Sequence, residues 1–498
     1  MTRCLALPAC AALLAISTHI AEAQFGLGDA TQIQAANQFE FYYDTDVDES
    51  VLDDRLDVSA SRGAFTVGVT FLSHSPSDPN VLDQNGFGPQ VQGIRKRWFE
   101  VDGSDVRARV GDVYATFGRG LALQIFEDQT VDFDNVLDGF YGSVTHGAFG
   151  LEVIGGSNSI GEPFQTLKGA QGTVDMPGGF TFGLEGVLVD PLDTGTGEAL
   201  GSDRLGGAFL GGPLGDYVDT YGEYVVRRYD PIQEDDPGLP DGHGAYANLT
   251  FYLGRLQILT EYKDFLRYVT ENINPPTAFR SHTSTLLNRG SHIAALRFDD
   301  ERGGFGEATF ALNDQTRLVG SWSKTEARHG NYPATEAYGE IEQWFGHSEI
   351  VLRMAETEEV IREGASDIFF ERITHSGTIV QPLSDYLSLD VTVETQGVQE
   401  SNRQTQSYQF PLEYRDNIVS ATLNKAPNMS WGLTYEWSDS PKEEDDAWLW
   451  ADWNVQVGSR HQLSLGAGKL RGGQLCSGGV CKLVQPFEGV KLEFLTTF

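Results

Sequence analysis

The chain has 498 residues, with Asp+Glu 71 against Lys+Arg 35, which gives a formal net charge of −36. That balance excludes nucleic acid as a partner, because a phosphate backbone is met by a basic surface. Aromatic residues at 11% exclude an acidic disordered tail, and no apolar run beyond the first 25 residues reaches the ~18–20 residues of a spanning helix.

The amino terminus reads as a targeting segment. Met1-Thr2-Arg3 is a short basic start, residues 5–20 are apolar, and Ala21-Glu22-Ala23 is a small-x-small cleavage site. A signal peptide over 1–23 is predicted, with the mature chain starting at Gln24. Its removal takes Arg3 and Glu22, one charge of each sign, so the mature chain keeps the acidity.

From about Asn37 onward the chain alternates. Phe65, Val67, Val69 and Phe71 fall on one face of one stretch, and Phe180, Phe182 and Leu184 do the same in another. Similar stretches contain Trp431, Leu433, Tyr435 and Trp437, and then Trp448, Trp450 and Trp453. A period of two is that of a half-buried strand. The separators alternate in kind. Tight ones include Arg62-Gly63, Asp102-Gly103-Ser104, His146-Gly147, Pro177-Gly178-Gly179, Asn313-Asp314 and Gly458-Ser459. Longer acidic ones span 44–49, 229–241, 356–367 and 442–446. Short turns at one rim and long loops at the other form the layout of an outer-membrane barrel.

Within this rhythm Asp44, Asp46 and Asp48 have the spacing of the first three ligands of a calcium loop. Glu49 stands where the turn glycine belongs and Arg55 where the closing Glu belongs, so no dedicated metal site is expected. Divalent cations are expected at most as diffuse company of an acidic rim. Arg95 and Arg97 lie two apart, as do Arg107 and Arg109, with a tight turn near Gly103 between the pairs. Guanidinium groups are costly in lipid, so both pairs are expected to face the lumen. The stretch 118–135 that follows carries Glu127, Asp128, Asp132 and Asp134. Folded inward, it would set an acidic loop opposite an arginine row, either as a pore constriction or as a structural network of paired charges. The polar stretch 274–289, with Arg280, His282, Asn288 and Arg289, is expected either to tuck into the lumen as a partial plug or to form a long loop.

Cys476 and Cys481 flank Ser477-Gly478-Gly479-Val480. In an exported chain they are expected to form a disulfide closing a small turn, and no further zinc ligands lie nearby. The chain ends Val490-Lys491-Leu492-Glu493-Phe494-Leu495-Thr496-Thr497-Phe498. This resembles the C-terminal strand signal of bacterial outer-membrane barrels, with Thr496 where that pattern prefers an aromatic residue. The resemblance implies outer-membrane lipid as surroundings and the barrel-assembly machinery as a partner reading the strand that ends at Phe498. The expected fold is all-β, a single large antiparallel transmembrane barrel of about 24–26 strands over 24–498, one domain with acidic extracellular loops.

A second resemblance covers under a fifth of the chain. Val110-Gly111-Asp112-Val113-Tyr114-Ala115-Thr116-Phe117-Gly118-Arg119-Gly120-Leu121-Ala122-Leu123, continuing to Asp134-Asn135-Val136-Leu137-Asp138-Gly139, is similar to the most regular block of an uncharacterised family of bacterial outer-membrane proteins, a domain of unknown function. The stretch 275–289, running on to Asp300-Glu301-Arg302-Gly303-Gly304-Phe305, is similar to a second block of it. The position of Arg119 is often a small residue there. The resemblance implies an exported barrel and names no substrate.

The chain has no Gly-x-Ser-x-Gly elbow, no His-Glu-x-x-His and no phosphate-cradling glycine loop. No enzyme, catalytic residue, cofactor or resident metal is expected. Two functions remain: a channel or uptake protein of the bacterial outer membrane for a polar or amphiphilic solute, or a plugged, non-conducting barrel that scaffolds surface assembly. On the channel reading an acidic rim stands above a partly basic lumen.

Overall fold

The computed structural model describes residues 31–75, 92–131, 133–158, 165–191, 201–231, 241–268, 272–274, 276, 278–289, 300–327, 333–363, 366–402, 411–477 and 480–498. The expected leader at 1–23, Asp132, and the side chains of Cys476 and Cys481 lie outside the described residues.

Twenty-four strands, from Thr31–Asp44 to Phe487–Thr497, form one antiparallel sheet. Each strand pairs with its sequence neighbours among the barrel strands. The last pairs both with His461–Leu470 and with the first, from Ala36 opposite Thr497 to Asp44 opposite Gly489. The sheet thereby closes and leaves no free edge, which removes the unpaired backbone groups an open sheet would expose. In this closing strand Val490 is exposed on one face, while Lys491 reaches Glu40 at 2.5 Å and Glu493 at 3.0 Å on the other.

Every connection at one rim has two to four residues, from 63–64 to 458–460, and all the predicted glycine turns lie there. Both ends of the sheet, Thr31 and Thr497, lie at the same rim. The other rim carries the longer connections, including 114–136 and 267–300. One predicted separator is instead strand. Ser348–Glu363 and Ser366–Ser384 run through the acidic 356–367 stretch as one long hairpin. Its charges keep the period of two, with Glu356 and Glu358 exposed and Thr357 and Glu359 buried.

The outer wall is apolar and ordered by height. Phe65, Phe149, Tyr217, Tyr252, Phe345 and Tyr386 lie in or within two residues of the tight turns and are exposed, forming a lower aromatic ring. A second ring stands seven residues above the turns, made by Phe71, Phe140, Tyr224, Tyr262, Trp322 and Tyr435, again exposed. Seven residues along a strand tilted by about 40° rise about 18 Å. Between the rings lie aliphatic side chains such as Leu184 and Leu433. Above the upper ring the outer face becomes charged, with Lys168, Arg204, Arg228, Lys324 and Glu356 exposed.

The inner face is the opposite. Among the described residues, the buried charged ones comprise thirteen carboxylates against three cations, Lys96, Arg227 and Lys263. The wall is thus mostly acidic, and many of the lumen's cations come from partly buried arginines on neighbouring strands and in-folded segments. The largest apolar core also lies inside the barrel. Phe117, Leu121, Leu123 and Ile125 from 114–136 pack on Ile154, Leu167, Val187, Val225 and Phe265 of the wall. Each such side chain contributes about 1.5–3 kcal/mol of burial before the cost of ordering the segment.

Candidate functional site

The first in-folded segment begins where strand Val106–Val113 ends. Gly111 adopts φ +97°, and a Cβ there would overlap the Arg97 carbonyl oxygen. Only glycine allows this conformation, two residues before the chain leaves the sheet after Val113. Two small hairpins follow, Ala115–Phe117 with Leu123–Ile125 and Glu127–Asp128 with Phe133–Asp134. The turn at 118–121 has no strand partner for its N–H groups, and the inner wall supplies one. Gln171 accepts from the Gly118 N–H at 2.7 Å, while the two Glu223 oxygens accept from the N–H groups of Arg119 at 2.7 Å and Leu121 at 3.2 Å. Gly118, at φ +52°, leaves room for that carboxylate, since a Cβ there would collide with it. The Arg119 guanidinium lies over the Tyr221 ring, 4.5 Å from its centroid, and 5.8 Å from that of Tyr246.

The acidic end of this segment meets another part of the wall, strands Glu49–Arg62 and Gln92–Asp102. Glu127 is 2.6 Å from Arg55 and 2.7 Å from Lys96, and Asp134 is 2.8 Å from Lys96. Burial alone would raise the Glu127 pKa, but the hydrogen bonds from Arg55 and Lys96 outweigh it and hold that carboxyl at about 2. Asp128 turns back on its own loop and accepts from the Thr130 N–H at 3.0 Å.

The second segment, 272–289, enters beside the first. The Gln124 N–H donates to the Asn272 carbonyl at 2.7 Å, the Asn274 N–H to the Gly120 carbonyl at 3.2 Å, and the Tyr268 hydroxyl to the Leu121 carbonyl at 2.6 Å. The two segments are therefore joined inside the barrel. A short helix, Thr285–Arg289, ends the described part of the second. Leu287 packs with Val319, Tyr338 and Ala355 of the wall. Glu394 accepts from the Ser284 hydroxyl at 2.9 Å and from the N–H groups of Thr285 at 3.2 Å and Leu286 at 2.9 Å. This repeats the use of Glu223 on the other segment.

All four candidates on this segment meet partners. Arg280 pairs with Glu307 and lies 4.6 Å from the Tyr338 ring centroid. Burial works against its charge, and the Glu307 carboxylate more than offsets that, leaving its pKa above the usual arginine value. His282 Nε2 lies 2.9 Å from Glu336, and the Asn288 amide donates to the His282 carbonyl at 2.6 Å. Arg289 pairs with Glu436, with a second contact at 3.0 Å. Glu436 also takes Arg471 at 2.8 Å, which reaches Asp416 at 3.0 Å and Glu443 at 2.7 Å.

The arginine pairs divide. Arg107 and Arg109 face inward and share Glu100, at 3.1 and 3.6 Å, with Arg109 stacked 4.7 Å from the Trp98 ring centroid. Arg95 and Arg97 do not join that row. Thr70 is opposite Lys96 and Phe71 opposite Ile94, so Arg95 is the extra residue of a β-bulge. The bulge shifts the register and turns Lys96 inward. Arg97 falls on the outer face with Phe99, its side chain 69% exposed and 3.2 Å from Asp138. The acidic segment therefore meets Arg55 and Lys96 rather than an arginine row. Sequence reasoning missed Arg55, Lys96, Glu223, Glu394 and Arg471. Glu223 and Glu394 resemble every other inward glutamate of an alternating strand, so only the folded segments distinguish them.

Residues 12–162 match a family of unknown function, DUF6029. The match contains the whole first in-folded segment and ends before the second. No curated protein matches the chain. Among solved structures it is similar to the P pilus usher (PapC) translocation pore, at 9% identity and TM-score 0.48, covering 94% of this chain and 99% of that one. It is also similar to the copper transporter OprC, at 10% identity and TM-score 0.47, and to the siderophore receptor PirA from Pseudomonas aeruginosa, at 10% and 0.47. Each of these covers 94% of this chain and 80% of the other.

Proposed function

We propose that this chain is an outer-membrane barrel that passes a polar or amphiphilic solute, with a crossbar formed by 114–136 and 272–289 narrowing its lumen. The observation that carries the reading is the wall itself, an apolar outer band between two aromatic rings around a charged interior. Only a lipid bilayer makes that exterior favourable. By the usual plan of such barrels, the tight-turn rim faces the periplasm and the long connections face outward. A circular barrel of this strand number, at about 4.8 Å per strand and about 40° tilt, is about 45–50 Å across. Two segments held to the inner wall at Glu223 and Glu394 support a narrowed passage.

The firm pinning of both segments by Glu223 and Glu394 favours a second reading, a sealed barrel that acts as a surface scaffold. Planar-bilayer recording separates the two. Purified chain, shown to be folded by heat-modifiable migration on SDS gels, is expected to give discrete current steps at neutral pH. Folded chain that inserts and never conducts contradicts the passage and leaves the scaffold.

A further inference from the structure

On the outer wall, Arg204 and Arg228 stand directly opposite each other in neighbouring strands, Gly201–Pro213 and Val218–Pro231. Their side chains are 65% and 72% exposed. Like charges in directly opposed cross-strand positions repel, so this pair works against its own hairpin. Internal relief is slight. Asp230 reaches Arg204 at 2.7 Å, Asp241 stands 4.0 Å from Arg228, and both carboxylates are themselves well exposed. His243 adjoins on the next strand, its ring 5.8 Å from that of Tyr224.

The height of the pair is informative. Tyr224 belongs to the upper aromatic ring, and Arg228 lies four residues further up the same face, about 10 Å above it. Beneath the pair the wall is shallow. Gly186, Gly206 and Val226 lie side by side in register, Ala208 is opposite Tyr224, and a side chain added at Gly206 would meet nothing within 4 Å. Leu184 and Leu210 border this depression and are exposed.

We infer that Arg204 and Arg228 form a binding site for the phosphorylated headgroup of an acylated lipid in the leaflet nearest the long connections, with an acyl chain lying over Gly206 and Ala208. A phosphate between two guanidinium groups removes their repulsion and accepts paired hydrogen bonds from both. The trough alone would indicate nothing. Beneath two exposed cations at headgroup height, matched only by the exposed Asp230 and Asp241, it has a place for an acyl chain. The inference rests on the membrane reading above.

The test uses the full chain folded in dodecylmaltoside micelles, with diphosphorylated lipid A as the probe and native mass spectrometry as the readout. Wild type is expected to retain the lipid. The Arg204→Gln/Arg228→Gln variant should bind at least tenfold more weakly, and Arg204→Lys/Arg228→Lys should stay within a few-fold of wild type. Asp230→Asn, which removes the internal competitor, should bind more tightly. If the double glutamine variant does not fold, Arg228→Gln and Asp230→Asn carry the test through their opposite signs. A folded glutamine variant that binds like wild type overturns the site, as does displacement of lipid A by equimolar inorganic phosphate, which would mark capture of a soluble anion. Folded, membrane-inserting wild type that retains no lipid A overturns this inference alone. Wild type that never becomes heat-modifiable counts against the membrane reading itself.

Discussion

Glu223 and Glu394 hold the two in-folded segments in the same way, each turning both carboxylate oxygens toward backbone N–H groups that lack a strand partner. Two such N–H groups converging on one point form a concave donor site, and a buried carboxylate is its natural complement. Glu223→Ala should cost the first segment about 1–3 kcal/mol for each buried donor left unpaired. Amide exchange over 117–123 should then accelerate while strand Val218–Pro231 keeps its protection, and unchanged exchange would contradict the anchoring role. Glu127 sets a pH dependence with a definite sign. Its pKa falls from 4.5 unfolded to about 2 folded, so its stabilisation is complete above 4.5 and is lost as pH falls toward 2. Protection of the amides of 126–135 should therefore persist at pH 5 and decline between pH 4.5 and 2. A loss beginning near neutrality would mean that another group holds the segment. Arg119 shows what a sequence pattern leaves out at this scale. The family resemblance has a small residue at this position, and the contact of its guanidinium with the rings of Tyr221 and Tyr246 is visible only in the fold.

At the scale of elements, the strands were legible because lipid outside and charge inside impose a strict period of two, and tight turns at Gly63, Gly103 and Gly147 mark their ends. Two departures were not legible. The bulge at Arg95 depends on how the neighbouring strand pairs, and one inserted residue reverses the facing of everything beyond it. The acidic 356–367 hairpin looked like loop because charge on both faces usually means solvent. The strands simply continue above the apolar band, with Glu356 and Glu358 exposed on the outer face and Thr357 and Glu359 buried on the inner one. Leu184, at mid-height between the aromatic rings, tests that band. Leu184→Arg should lower the stability of the inserted barrel by about 2–4 kcal/mol in vesicle folding titrations, whereas Glu356→Arg should change it little. Equal effects would remove the assigned band. The hairpin Gly473–Ser477 with Val480–Val484 sets Cys476 opposite Cys481 and lies beside the lumen helix Thr285–Arg289. The mature chain is expected to react with maleimide at these positions only after reduction, and ready labelling without reductant would exclude the disulfide.

For the whole molecule, closure of twenty-four strands into one barrel explains the net charge of −36 differently from a simple acidic rim. Much of the acid lies on the inner wall, where it binds in-folded backbone and receives arginines from strands and loops alike. The barrel was readable from turn spacing and the terminal strand. That 118–135 and 274–289 carry charge suited to the lumen was readable too. How they join was not, because the bonds between Gln124 and Asn272 and between Asn274 and Gly120 link residues about 150 positions apart through backbone groups that every residue has. The central claim is that these joined segments set the width of the passage. Single-channel conductance tests it most directly, comparing wild type with a variant in which 118–133 and 278–289 are each replaced by a short Gly-Ser link. Both proteins must first be shown to be heat-modifiable. A several-fold larger unit conductance is expected in the variant, and equal conductance in two folded barrels would mean that the joined segments do not set the width.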